Sequence, residues 1–186
     1  MESKIILASA SPRRKELMEQ IGLKFTVKPS DAEENINIDD PEELVSELSK
    51  LKADDVWNKN RDCCIVAADT VVCANGKILG KPKDRADGKR MLKMLSGSKH
   101  TVYTGVTVQD ENGAITEVAA TDVYFKELSE KEIDNYLDTN EYADKAGAYG
   151  IQGYAARFVE KICGCYFNVV GLPLSLLDDL LFKKGV

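Results

Sequence analysis

Five stretches of the chain carry residue types that could do chemistry, two of them at a phosphate. In Ser9-Ala-Ser-Pro-Arg-Arg14 an apolar run ends, small residues turn, and Pro12 opens a helix. The N–H groups and dipole at such a start favour an anion. Ser9 and Ser11 add hydroxyl donors, and Arg13 and Arg14 add forked guanidinium donors that match phosphate oxygens. Two arginines in a first turn oppose the helix dipole, so an anion beside them relieves both. The plainer alternative is a capped helix with a solvated basic turn.

Asp69 stands inside the apolar run Ile65–Val72. A carboxylate there is costly unless it is paired or metal-bound, so Asp69 needs a metal ion or a lysine, or else a place at a strand end facing solvent. Lys52 follows Leu44 and Leu48 at helical spacing and lies beside their stripe, either snorkelling outward or reaching into a cleft. Gly80-Lys-Pro-Lys-Asp84 puts Lys81 and Lys83 before a helix start, as a phosphate contact or a solvated turn. It is not a Walker A loop, because three residues rather than four separate Gly76 from Gly80 and Pro82 replaces the Ser/Thr. In Asp144–Gly153, three glycines allow backbone to approach a ligand closely, without the dinucleotide spacing. Gln152 there offers both a donor and an acceptor, as a base-edge reader needs, unless the segment is a plain surface loop.

These residues must be positioned by a regular scaffold. Lys4–Ala8 predicts a strand, followed by a helix capped by Ser11 and ended by Gly22, then a short strand over Lys24–Lys28. Asp40 caps a helix whose buried face is Leu44, Leu48 and Leu51. Ile65–Val72 predicts a central strand, and Asn75-Gly76 a hairpin turn. Asp84 caps a helix ending near Ser96-Gly97, with Met91, Leu92 and Leu95 inward. Thr101–Val108 and Val118–Phe125 form a long hairpin around Asn112-Gly113. Ser129 and Glu132 make a capping box, with Leu128 and Ile133 as its hydrophobic staple. Lys161–Phe167 predicts a strand and Pro173–Phe182 a closing helix. Strands alternating with helices, plus a hairpin, predict an α/β fold with a mixed sheet.

Composition narrows the function. The 186 residues suit one compact domain, 1–186, with two lobes, at roughly 100–200 residues per domain. A net charge of −6 argues against a nucleic-acid or anionic-membrane partner, while leaving room for a local basic pocket. The longest apolar run is broken by Asp69, and the apolar start of the chain is too short for a leader, so a soluble cytoplasmic protein is expected. The five cysteines include no CxxC pair and predict buried, reduced thiols. A single histidine, His100, leaves little scope for a triad or a histidine metal site, and predicts an ordinary strand or turn residue.

Taken together, LASASPRR (Leu7–Arg14), AADTVV (Ala67–Val72), GKPKD (Gly80–Asp84), SGSKHTVYTGV (Ser96–Val106), DKAGAYGIQG (Asp144–Gly153) and NVVGLPL (Asn168–Leu174) resemble the Maf family of nucleoside triphosphate pyrophosphatases over essentially the whole chain. The resemblance implies hydrolysis between the α- and β-phosphates, giving monophosphate and pyrophosphate. It implies an elongated mixed α/β sheet with flanking helices, in two lobes around a cleft, like the inosine triphosphate pyrophosphatases. It also implies a divalent metal, Mg²⁺ or Mn²⁺, a cytoplasmic location and a homodimer. By position Asp69 matches the proton acceptor, Arg14, Glu34, Lys52 and Lys81 the polar active-site set, and Arg13, Thr70 and Gln152 the positions linked to base choice. Glu34 and Asp69 are the carboxylates that would hold the metal. Arg13 and Thr70 resemble the dTTP/UTP branch, whereas the 7-methyl-GTP branch carries Trp and Gln there. A rival of another class is a nucleotide-binding regulator of septum formation with little catalysis. A general phosphomonoesterase is the weaker enzyme rival.

Overall fold

In the computed structural model, which describes residues 4–186, the first strand β1 (Lys4–Leu7) runs parallel to two others. It pairs with β2 (Phe25–Val27) on one side and β3 (Cys63–Ala74) on the other, with Ile6 opposite Ile65. Parallel strands need long crossovers. These are α1 (Pro12–Gln20) between β1 and β2, and α2 (Pro41–Asn58) between β2 and β3. Asn75 and Gly76 both take positive φ, 51° and 69°. That turn folds β4 (Lys77–Leu79) antiparallel onto β3. Then come α3 (Arg85–Leu95), β5 (Lys99–Asp110), β6 (Gly113–Phe125), α4 (Glu130–Leu137), β7 (Val159–Cys163), α5 (Tyr166–Val170) and α6 (Leu174–Lys183). The seven strands form one sheet in the order β2-β1-β3-β5-β6-β7, with β4 beside β3. β6 and β7 pair antiparallel, so the sheet is mixed as expected.

The chain divides into two compact units. The first comprises the residues up to Asp69, Thr104–Ala119 and Gly171–Val186. Its core joins Ile6 and Ala8 of β1, Ile65 and Ala67 of β3, and Ala53 and Val56 of α2, with Trp57 and Cys63 packed alongside. The second comprises Thr70–Tyr103 and Ala120–Val170. Its core includes an aromatic cluster: Phe125, Tyr136, Tyr149 and Phe158 meet edge to face, Phe125–Tyr149 at 4.8 Å and Tyr136–Phe158 at 5.5 Å between centroids. Ser129 and Glu132 form the complete capping box of α4, and Asp84 accepts from the Asp87 N–H to cap α3.

Four expectations need correction. The buried face of α2 is Val45, Leu48, Ser49, Ala53 and Val56, while Leu44 and Leu51 are only half-buried. The last predicted strand stops at Cys163, and Tyr166–Val170 is helical. Ser11 holds the cap position of α1, but its hydroxyl makes no capping hydrogen bond. The five thiols are unbridged, yet Cys64 alone is buried and Cys163 is exposed. No helix is long and apolar enough to cross a membrane among the described residues.

Candidate active site

Along β3, Ile65, Ala67 and Asp69 share one face, because side chains alternate along a strand. Ile65 and Ala67 pack against Ala53 and Val56 of α2. The same helix therefore carries Lys52 to Asp69. The Lys52 ammonium sits 2.5 Å from Asp69 Oδ1 and 3.0 Å from Glu34 Oε1. Both Lys52 and Asp69 are largely buried, whereas Glu34 is half open to solvent. The cation that Asp69 needs is thus a lysine seventeen residues earlier in the chain.

Three contacts fix α2 where Lys52 can do this. The backbone of Val45 passes so close to Gly105 that a Cβ there would lie 2.2 Å from the Val45 carbonyl oxygen. Ser49 and Thr107 share a buried hydroxyl hydrogen bond of 2.8 Å, and Gln109 Nε2 donates to Asp54. The loop that bears Glu34 is pinned to the same helix. Ser30 Oγ and the Asp31 N–H both donate to Asp55 Oδ2. Hydrogen bonds from Lys59 and Ser30 hold the Asp55 carboxyl down at about 2.

At the start of α1 the guanidinium of Arg14 is oriented from two sides. Its Nε donates to the Gly171 carbonyl at 2.8 Å and its Nη1 to Ser9 Oγ at 3.1 Å. Ser9 Oγ also accepts from the Ser11 N–H, which ties the turn together. Burial lowers the Arg14 pKa; Asp69 opposes that, Arg13 adds to it and Glu34 opposes it. Ser9, Ser11, Arg13, Arg14, Glu34, Lys52 and Asp69 all belong to the first unit. Within it, Asp69 and Glu34 are joined by Lys52, and both act electrostatically on Arg14.

Thr70, Lys81 and Gln152 belong to the second unit. Thr70 follows Asp69 in β3 and is half-buried. Lys81 is exposed on the turn after β4. That turn is tied to the glycine-rich segment by the Gly147 N–H, which donates to the Gly80 carbonyl at 3.1 Å. Gln152 is exposed between Ile151 and Gly153. The glycines of that segment answer to the protein's own side chains: Gly147 packs on Val72, Gly150 on Lys145 and Gly153 on Glu141. This packing by itself accounts for a glycine at each of the three positions.

No group of three or more His, Cys, Asp or Glu side chains is placed to hold a metal among the described residues. Glu34 and Asp69 still suit Mg²⁺ or Mn²⁺, which are held by one or two carboxylates and complete their shell with water and phosphate oxygens. Their shared Lys52 shows that both carboxylates reach one cation. The sequence reading missed the Gly171 carbonyl. Its signal was the glycine in NVVGLPL, which takes a φ of 120° and presents its carbonyl to Arg14.

The family model described as Maf-like protein matches residues 4–184. A dTTP/UTP pyrophosphatase of Alkaliphilus metalliredigens is 48% identical over 184 residues, which cover 97% of this chain and 95% of the relative. One from Carboxydothermus hydrogenoformans is 49% identical, over 98% of this chain and 99% of its own. Among solved structures, that of the Staphylococcus aureus Ham1 protein shares the fold at a TM-score of 0.51 and 12% identity, over 66% of this chain and 72% of its own.

Proposed function

The chain belongs to the Maf-like protein family, and from that premise we propose that it hydrolyses dTTP and UTP to the monophosphate and pyrophosphate. The observation that carries this reading is the Lys52 ammonium held between Asp69 and Glu34. Cleavage of a phosphoanhydride calls for positioning and charge neutralisation more than for a covalent intermediate. The charged residues of the first unit suit that task.

In this reading Arg14, with its fork already aimed by Ser9 and Gly171, binds phosphate oxygens together with the N–H groups at the start of α1. Ser9 and Ser11 add donors, and Lys52 and Lys81 add charge. Asp69, its rotamer held by Lys52, orients a water toward the α-phosphorus and takes its proton as the bond to the bridging oxygen breaks and pyrophosphate leaves. Glu34 and Asp69 would hold the divalent ion. When bound, that ion supplies charge neutralisation at the phosphates and polarises water. Arg13, Thr70 and Gln152 set the base preference. The net charge of −6 argues against action on nucleic acid or at an anionic membrane, and the basic residues of the site, rather than the overall charge, would draw in a free nucleotide in the cytoplasm.

The test is product analysis over dTTP, UTP, CTP, dATP, GTP and 7-methyl-GTP with Mg²⁺ or Mn²⁺. The expected result is pyrophosphate released chiefly from dTTP and UTP. Orthophosphate as the product overturns the reaction. A preference for 7-methyl-GTP overturns the branch. Binding without turnover on every nucleotide favours a sensor.

A further inference from the structure

The segment carrying Gln152 is held at both ends by side chains that the proposed chemistry does not use. Before Gln152, Tyr149 is 5% exposed and its hydroxyl lies 2.8 Å from Nε2 of His100, which is 1% exposed. Both rings lie edge-on to Phe125, His100 at 4.9 Å and Tyr149 at 4.8 Å between centroids. His100 Nδ1 is buried with no hydrogen-bond partner among the described residues. An orphaned buried nitrogen is costly, so a phenylalanine would suit this aromatic pocket better if filling it were the only need. The polar gain of His100 here is its bond to Tyr149.

After Gln152, Glu141 Oε2 accepts from the Tyr154 N–H at 2.9 Å. Gly153 lies so close that a Cβ there would sit 2.0 Å from the same oxygen. Glu141 is itself fixed: its carbonyl accepts from Lys145 Nζ, and its N–H donates to Thr139 Oγ1. The Lys145 side chain in turn fills the space beside Gly150. Only Ile151 and Gln152 lie between the residues so held, and Ile151 is buried while Gln152 points to an exposed position. A side chain that reads a base edge must hold its amide within a few tenths of an ångström, and exposed loops lack that precision unless their backbone is fixed.

We infer that Glu141 and the His100–Tyr149 pair are positioning residues that hold Gln152 and thereby set base discrimination. The inference rests on the nucleotide reading above. It assigns specificity to a clamp around the reader rather than to the reader alone. None of these three residues is assigned a contact with substrate, so each acts through the backbone of Tyr149–Tyr154.

The test compares wild type with Tyr149→Phe, Glu141→Ala and Glu141→Gln. The readouts are kcat and KM for dTTP, UTP and CTP, equilibrium binding of the same three nucleotides, and Tm. Tyr149→Phe deletes one oxygen in a packed site and guards against a Glu141→Ala protein that fails to fold. Expected is a fall of about tenfold in the preference for dTTP and UTP over CTP, carried by KM, with kcat for dTTP within about twofold of wild type. Glu141→Gln keeps an acceptor for the Tyr154 N–H and restores the preference. A lower Tm with unchanged KM and unchanged preference overturns the inference and leaves the clamp a matter of stability. Selective binding by a wild type that releases no pyrophosphate strikes the hydrolytic reading alone. The binding ratios of the variants then decide the inference in the same way.

Discussion

Lys52 Nζ lies 2.5 Å from Asp69 Oδ1, and the same ammonium lies 3.0 Å from Glu34 Oε1. One cation therefore serves a carboxylate inside the sheet and another at the edge of solvent. Lys52→Ala strips both of their partner and leaves Asp69 charged and largely enclosed. The expected cost is about 2–4 kcal/mol in urea unfolding, with turnover reduced by about a hundredfold or more. Glu34→Gln, at a half-exposed site, should change stability by only about 0.5 kcal/mol and still reduce turnover. Equal destabilisation by the two substitutions would contradict the asymmetry of burial.

Arg14 makes its two hydrogen bonds through different nitrogens of one fork, to Gly171 and to Ser9. Lysine retains the charge but cannot reproduce both bonds while offering donors to a phosphate. Arg14→Lys should raise KM for dTTP about tenfold or more with smaller effects on stability. Steady-state kinetics beside a thermal melt checks this. A KM equal to wild type would remove Arg14 from phosphate binding.

Much of the scaffold was legible because its signals are local. The turn at Asn75-Gly76, the Asp84 cap and the Ser129–Glu132 box depend on residues within one turn of each other. The face of α2 was misread because Leu44, Leu48 and Leu51 fit a helical stripe as well as Val45, Leu48 and Ala53 do. Ser49 is a core residue whose hydroxyl bonds both the Ser46 carbonyl and, 58 residues away, the Thr107 hydroxyl. Residues 166–170 follow a strand closely and are apolar but for Asn168, and such a short run does not distinguish strand from helix. In the site, the need of Asp69 for a cation was visible, but the choice of Lys52 depended on how α2 lies over β3. The glycine in NVVGLPL marks an unusual turn, but nothing near Arg14 in the chain says that Gly171, 157 residues later, anchors it.

At Gly105, β5 runs so near α2 that an added Cβ would lie 2.2 and 2.6 Å from Val45 O and Val45 C. Backbone cannot yield as a flexible side chain does, so Gly105→Ala must push the helix away from the strand. The expected loss is about 3 kcal/mol, with turnover falling further than stability alone explains because Lys52 moves with α2. Denaturant melts and activity at low temperature separate the two effects. A near-neutral Gly105→Ala would show that α2 is not seated by this contact.

Burial lowers the His100 pKa from the usual 6.5 to about 4, against a smaller upward pull from Asp122. Between those values the unfolded chain binds a proton that the folded chain refuses, so stability rises with pH there. The contribution is complete above pH 6.5 and is lost as the pH falls toward 4. Its size is on the order of 3 kcal/mol. Urea melts at pH 7 and pH 5 should show a steeper loss in wild type than in His100→Gln. Parallel losses in both proteins would contradict a neutral, enclosed imidazole.

The most direct test of the account is Asp69→Asn, which preserves shape and a hydrogen-bonding oxygen near Lys52 but cannot take a proton from water. The measurement is pyrophosphate release from dTTP with Mg²⁺, beside equilibrium binding of the same nucleotide. The account predicts that release falls by about a thousandfold or more while dTTP binding stays measurable. Near-normal release from a folded Asp69→Asn protein would contradict it.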